Sequence, residues 1–135
     1  MAFMTWTAEQ FGTNVGVCDQ QHQKIFDLVN SLVEAVQAGD RAATGRCLDE
    51  LIDVVVDHFR TEEEMMQKYG YPDYQAHKDA HDKLVATCAD LQKKFHAGEA
   101  EVTAETAEFV RDWLYNHIPK VDKPYGPFLN EQGVH

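Results

Sequence analysis

The chain has 135 residues, of which 44% are hydrophobic and 26% charged, values ordinary for a globular protein and unlike those of a disordered one. A chain this long buries about two-thirds of its unfolded surface, so one domain can form a core without disulfide or metal support. Twenty-three acids against twelve bases give a net charge of −11, a field that repels nucleic acid and anionic lipid and excludes both as expected partners.

The N-terminal run Met1-Ala2-Phe3-Met4-Thr5-Trp6 lacks the basic segment and apolar stretch of a secretory signal. No window reaches the roughly 18 apolar residues of a membrane span. Three widely spaced cysteines, Cys18, Cys47 and Cys88, form no close pair. They read as reduced packing residues, and the expected location is the cytoplasm.

Residues 1–18 read as an irregular arm, pinned by Trp6 and Phe11. Asp19 is the expected N-cap of a first helix carrying Ile25, Phe26, Val29, Leu32, Val33 and Val36 at spacings of three and four, closed by Gly39. A second helix opens near Asp40, runs through Leu48, Leu51, Ile52, Val55, Phe59, Met66 and Tyr69, and stops at Gly70 ahead of Pro72. Its expected length is about 45 Å.

A third opens at Asp73, with Tyr74, Leu84, Val85, Leu91 and Phe95 on one side, and ends at Gly98. A fourth starts near Thr103 and presents Phe109, Val110, Trp113 and Leu114 before Pro119. Strand-like alternation is absent and the connections are short. The expected fold is all-α: an antiparallel up-down-up-down four-helix bundle over 19–118, with the arm before it. Beyond the bundle lies a tail, 119–135, in which the prolines of Lys123-Pro124-Tyr125-Gly126-Pro127-Phe128-Leu129 argue against a continuation of the fourth helix.

Seven histidines carry the chemistry. His22 shares a face with Ile25 and Phe26, and His58 with Leu51 and Val55. His77 follows Tyr74 by three, His81 precedes Leu84 by three, and His117 follows Leu114 by three. Five imidazoles from four helices therefore converge on one apolar interior, each with a donor and an acceptor to satisfy. A metal centre removes that cost, because imidazole suits iron, copper and zinc.

Glu62 lies four residues after His58, on the same helix face, whereas Glu63 and Glu64 rotate away and read as a solvated acidic surface. His77 and His81 repeat the four-residue spacing, which lets two imidazoles meet one ion. His117 and Asp122 stand five apart, out of line on a regular helix, but a helix loosened at Pro119 can turn Asp122 back. Five imidazoles and two carboxylates exceed the needs of one ion. Structural zinc would favour thiolates at close spacing, which are missing. Copper accepts these ligand types as well, but carboxylate bridges with imidazoles fit a non-haem di-iron centre best.

The segments Asp19-Gln20-Gln21-His22, His58-Phe59-Arg60-Thr61-Glu62, His77-Lys78-Asp79-Ala80-His81 and His117-Ile118-Pro119-Lys120-Val121-Asp122 resemble, in order and spacing, those of the hemerythrin family, in particular its single-domain bacterial members. The resemblance spans the chain from first helix to last. It implies that His77, His81 and His117 hold one iron and His22 and His58 the other. Glu62, Asp122 and a solvent-derived oxo or hydroxo group would bridge the two. The second iron then keeps a position for dioxygen. Ile25, Phe59, Trp113, Leu114 and Ile118 match the family's dioxygen-pocket lining, and an apolar wall there would deny protons and reductants to the bound gas.

The implied function is reversible dioxygen binding for storage, transport or delivery, without catalysis. The implied state is a monomer that makes transient contact with an oxygen-consuming enzyme. Oxygen or redox sensing and iron storage are the alternatives at the same site. A ferritin-like di-iron oxidase is a more distant one, since it uses Glu-x-x-His pairs. Here the residues three before each histidine are Asp19, Val55, Tyr74, Lys78, Lys93, Leu114 and Gln132. His96 and His135 fall outside the constellation as surface residues.

Overall fold

The three-and-four spacing of apolar residues is realised as long helices in a computed structural model, which describes residues 3–135; Met1 and Ala2 of the expected arm lie outside the described residues. The elements are α1 (Ala8–Phe11), α2 (Gly16–Gln37), α3 (Arg41–Tyr69), α4 (Tyr74–His96), α5 (Ala104–His117), a π-helical turn (Ile118–Asp122) and α6 (Tyr125–Glu131). Tight connections reverse the chain after α2, α3 and α4. The side chains bond accordingly across antiparallel neighbours, Gln21 of α2 to Thr61 of α3 and Asp49 of α3 to Gln92 of α4. No strand forms among the described residues.

Most of the expected start and stop residues act as such. Asp40 caps α3 by accepting from the Ala43 amide at 3.0 Å. Gly70 closes that helix at φ +73°, in the left-handed region that favours glycine, and the Tyr71 amide reaches back to the Met66 carbonyl at 2.8 Å. The core of the bundle is apolar: Ile25, Phe26, Val29, Leu32, Leu48, Leu51, Phe95 and Leu114 are all buried.

Two expectations are corrected. Asp19 does not cap the first helix, which begins three residues earlier at Gly16. Its carboxylate instead accepts from the Thr13 amide (2.9 Å) and hydroxyl (2.8 Å), tying the arm to α2. Phe109 faces solvent and is 48% exposed, because Ala107, Val110 and Leu114 set the buried face of α5. The tail does not continue the fourth helix but forms a short helix of its own, α6. Pro124 sits at the N-cap of α6 and Pro127 in its first turn, where a missing N–H costs no hydrogen bond.

The arm is held as expected by aromatic packing. Phe11 is buried edge-on against Phe26, with ring centroids 5.1 Å apart, and Trp6 packs partly buried on the same cluster. Within that arm, α1 is a single helical turn.

The tail and arm approach each other at Gly126, where an added Cβ would collide with the Thr13 carbonyl oxygen. Only glycine permits this contact, and it seats the neighbouring Tyr125, which is fully buried. Gly126→Ala should therefore force arm and tail apart, at a cost of about 1–3 kcal/mol. Thermal melting of the variant should show a fall of about 5–10 °C. An unchanged melting temperature would mean that the two backbones are free to separate without penalty.

Candidate metal centre

Each helix of the bundle delivers side chains to one level of its interior. His22 comes from α2, His58 and Glu62 from successive turns of α3, His77 and His81 from successive turns of α4, His117 from the last turn of α5, and Asp122 from the π-turn. All seven are buried, none more than 6% exposed. The π-turn explains Asp122. Pro119 has no N–H for the next intrahelical bond, so the chain widens, and the Lys123 amide bonds to the Ile118 carbonyl five residues back at 2.9 Å. That wider turn brings Asp122 Oδ1 to 2.9 Å from His117 Nε2, as the loosened helix was expected to do.

The donor atoms fall into two sets that share Asp122: His77, His81, His117 and Asp122, and His22, His58, Glu62 and Asp122. Asp122 turns Oδ1 to His77 Nε2 at 2.8 Å and Oδ2 to His22 Nε2 at 3.0 Å. Glu62 likewise turns Oε2 to His58 Nε2 (3.2 Å) and His22 Nε2 (3.4 Å), and Oε1 to His81 Nε2 (3.3 Å). Each carboxylate thus faces both sets, one oxygen to each.

These short separations are not hydrogen bonds for most of the atoms concerned. His22 Nε2, His58 Nε2, His81 Nε2, Glu62 Oε1 and both Asp122 oxygens are buried without a hydrogen-bond partner. His77 Nε2 and His117 Nε2 approach to 3.2 Å, nitrogen to nitrogen. Buried polar atoms left unpaired are costly, and so many in one place call for an explanation. Two ligands each about 2.1 Å from one ion and at right angles lie about 3 Å apart, the spacing found here. The residues present fit a pair of metal ions.

Their electrostatics agree. Burial disfavours the charged form of every group, yet His22 is pushed up to about 10 by Asp122 and Glu62, which outweigh that desolvation. His81 is also raised despite burial, through Glu62 and Glu63. Both carboxylates, though fully desolvated, are held below their usual range by the imidazoles around them. The cluster is a sink for positive charge, which a metal pair supplies without protons.

Three further residues hold the cluster and were not read as functional from the sequence. Gln21 Oε1 lies 2.6 Å from His58 Nδ1 and Glu63 Oε2 lies 2.9 Å from His81 Nδ1, so each fixes one imidazole by its outer nitrogen. For Glu63 this corrects the expectation of a solvated acidic residue. Its side chain is 19% exposed and reaches sideways to α4. Tyr125 of α6 donates its hydroxyl to Glu62 Oε2 at 2.5 Å. Burial, then the charges of Glu62 and Asp122, push this phenol well up, so it remains a donor.

The apolar candidates surround the same level. Phe59 stacks on His81 at 3.7 Å between centroids and 1° between planes, and Trp113 stacks on His117 at 4.1 Å. Ile25, Leu114 and Ile118 are buried, one turn or less from His22 and His117. His96 lies outside the cluster and bonds to Asp49 on the surface at 2.8 Å, and His135 is exposed at the chain's end. Cys18, Cys47 and Cys88 are free thiols.

Comparison with known proteins gives a consistent picture. Residues 13–129 match the model of the hemerythrin HHE cation binding domain. The chain is 65% identical over 130 residues to a bacteriohemerythrin of Methylococcus capsulatus (strain ATCC 33009 / NCIMB 11132 / Bath), covering 96% of this chain and 99% of that one. It is 36% identical over 125 residues to a bacteriohemerythrin of Stenotrophomonas maltophilia (strain R551-3), covering 93% and 80%. A crystal structure of a wild-type hemerythrin superposes with a TM-score of 0.92 at 65% identity, covering 93% of this chain and 97% of the other.

Proposed function

The chain belongs to the hemerythrin family, which binds dioxygen reversibly at a pair of non-haem irons, and we propose that its own irons are held by the seven residues His22, His58, Glu62, His77, His81, His117 and Asp122. His77, His81 and His117 serve one ion, His22 and His58 the other, and Glu62 and Asp122 bridge them together with a solvent-derived oxygen. The observation that carries this assignment is the division of labour within each carboxylate, one oxygen to either histidine set. The two-histidine side is one protein donor short of the other, which reserves a position for dioxygen.

When bound, the irons supply the electrons that dioxygen accepts on arrival and returns on leaving. The protein supplies the rest. Glu62 and Asp122 would offset half of the charge of two ferrous ions, and a bridging hydroxide would leave a single positive charge, which a buried site tolerates. Phe59 and Trp113 hold the imidazoles of the three-histidine side by stacking. Ile25, Phe59, Trp113, Leu114 and Ile118 close the iron site as a whole to water and proton donors, which favours release over reduction.

That dry, histidine-rich setting supports a carrier in place of a catalyst. Free thiols support a reducing, cytoplasmic setting. Among the described residues, no helix is long and apolar enough to cross a membrane. Val17 and Phe109 are the large hydrophobics exposed among the described residues, and the proposed state is a monomer with transient partners.

The test is a visible spectrum of the iron-loaded, reduced chain cycled between argon and air. A band that appears with air and vanishes under argon over repeated cycles is expected. Irreversible conversion to a ferric spectrum on the first exposure would move the protein to the oxidase reading. The outer partners should matter too. Glu63→Ala leaves His81 free to rotate, and chelator competition should show iron held about 10–100-fold less tightly. Equal retention in wild type and variant would make Glu63 a bystander.

A further inference from the structure

Tyr125 is set against one bridge oxygen and not the other. It is fully buried, its ring lies nearly parallel to that of His77 at 5.8 Å, and the Gly126–Thr13 contact beside it fixes the backbone that carries it. Cys18, also fully buried, lies beside its hydroxyl. The hydroxyl donates to Glu62 Oε2, the oxygen that faces His22 and His58. The other oxygen, Oε1, faces His81 and His77 and accepts no hydrogen bond. A bridging carboxylate is symmetric by its chemistry, so a donor on one oxygen makes its two ends unequal.

We propose that Tyr125 is a positioning residue that unbalances the Glu62 bridge, weakening its donation to the metal held by His22 and His58 and so favouring the ferrous state at the side where dioxygen binds. A hydrogen bond to a carboxylate oxygen draws electron density from it, and such charge-assisted bonds are among the stronger ones in a protein. In a dry interior the effect is little screened. An oxygen that gives less charge to its metal stabilises the lower oxidation state there. Hydrogen bonds to ligands tune a metal in this way, and their loss is felt at the metal even when every ligand remains. The inference rests on the hemerythrin reading given above.

Tyr125→Phe removes one oxygen atom and keeps the ring. Wild type and variant are loaded with iron under argon and titrated by dithionite through mediator dyes, one electron per iron, with no dioxygen present. Both should hold two irons per chain and melt within a few degrees of each other. The midpoint of the first reduction step should fall in the variant by about 59 mV, the equivalent of a tenfold change in the one-electron equilibrium constant. A structural role alone would move the melting temperature and leave the midpoint in place.

If the variant loses iron, 3-fluorotyrosine placed at position 125 alone decides the question. It keeps ring and hydroxyl but donates more strongly, so the midpoint should rise. Midpoints equal to wild type in the variants that hold iron overturn the inference and leave the dioxygen-binding reading intact. A wild-type chain that takes up no iron pair overturns both.

Discussion

Asp122→Ala is expected to reduce the iron content from two per chain to one or none and to abolish the reversible visible band. Asp122 touches both histidine sets, with Oδ1 at 2.8 and 2.9 Å from His77 and His117 and Oδ2 at 3.0 Å from His22. Alanine removes one donor from each ion at once. It also removes half of the protein's carboxylate charge from a site where all seven side chains are buried. Two dications facing one remaining carboxylate would leave unbalanced charge in a low-dielectric interior, which costs several kcal/mol.

Asparagine separates these two effects. Asp122→Asn keeps the shape of the side chain but offers one oxygen acceptor in place of two, so it can serve one histidine set and not bridge both. Its expected iron content is one per chain. In both variants the helix content by circular dichroism should match wild type, because the π-turn is closed by the Lys123–Ile118 backbone bond and by Pro119, not by the Asp122 side chain. Two irons retained in either variant, measured by metal analysis after desalting, would remove Asp122 from the ligand set.

The helices and the inward histidines were legible in the sequence because both follow from a helical period. Leu51, Val55, His58, Phe59 and Glu62 are spaced three and four apart, so the face that carries the core also carries the ligands. The π-turn could be anticipated only as a consequence of Pro119, since a five-residue spacing fits no regular helix. What was not legible lies between elements. Glu63 is adjacent in sequence to Glu62 and rotated from the core, and its bond to His81 depends on how closely α4 packs beside α3. Tyr125 follows two prolines' worth of irregular chain, and no periodic pattern points it inward. The Thr13–Gly126 approach that seats it joins residues 113 positions apart in the sequence. Phe109 was misplaced for the opposite reason: hydrophobicity alone drew it inward, while the register set by Val110, Leu114 and His117 leaves it outside.

Leu114→Ala should convert the reduced iron pair to the ferric form under air at least several-fold faster than wild type, while also lowering stability by about 2–5 kcal/mol. Leu114 is buried and borders an interior cavity of about 30 Å³ that is faced by apolar atoms, formed with Leu32, Leu48, Leu51, Ile52 and Val110 among others. On its own such a cavity stays dry, because a water molecule there would find no polar partner. Leu114 is one turn before His117, so truncating it enlarges the apolar space next to the metal ligands. A water entering that space has imidazoles and carboxylates within reach, the two or more partners that it needs to remain. Protons then reach the dioxygen side, and release gives way to irreversible oxidation.

Lost packing and lost dryness can be told apart with a second substitution. Leu114→Met keeps the side-chain volume and costs less than about 1.5 kcal/mol, so it should oxidise at the wild-type rate. If destabilisation alone governed oxidation, a substitution outside that cavity with a similar loss of stability would be equally fast; Phe95→Ala, buried in the last turn of α4 and fourteen residues beyond His81, serves for that comparison. Stopped-flow mixing of each reduced chain with air-saturated buffer, followed to the ferric spectrum, gives the rates. An alanine variant at 114 that oxidises no faster than Phe95→Ala would show that the apolar wall at this position protects the fold and not the irons.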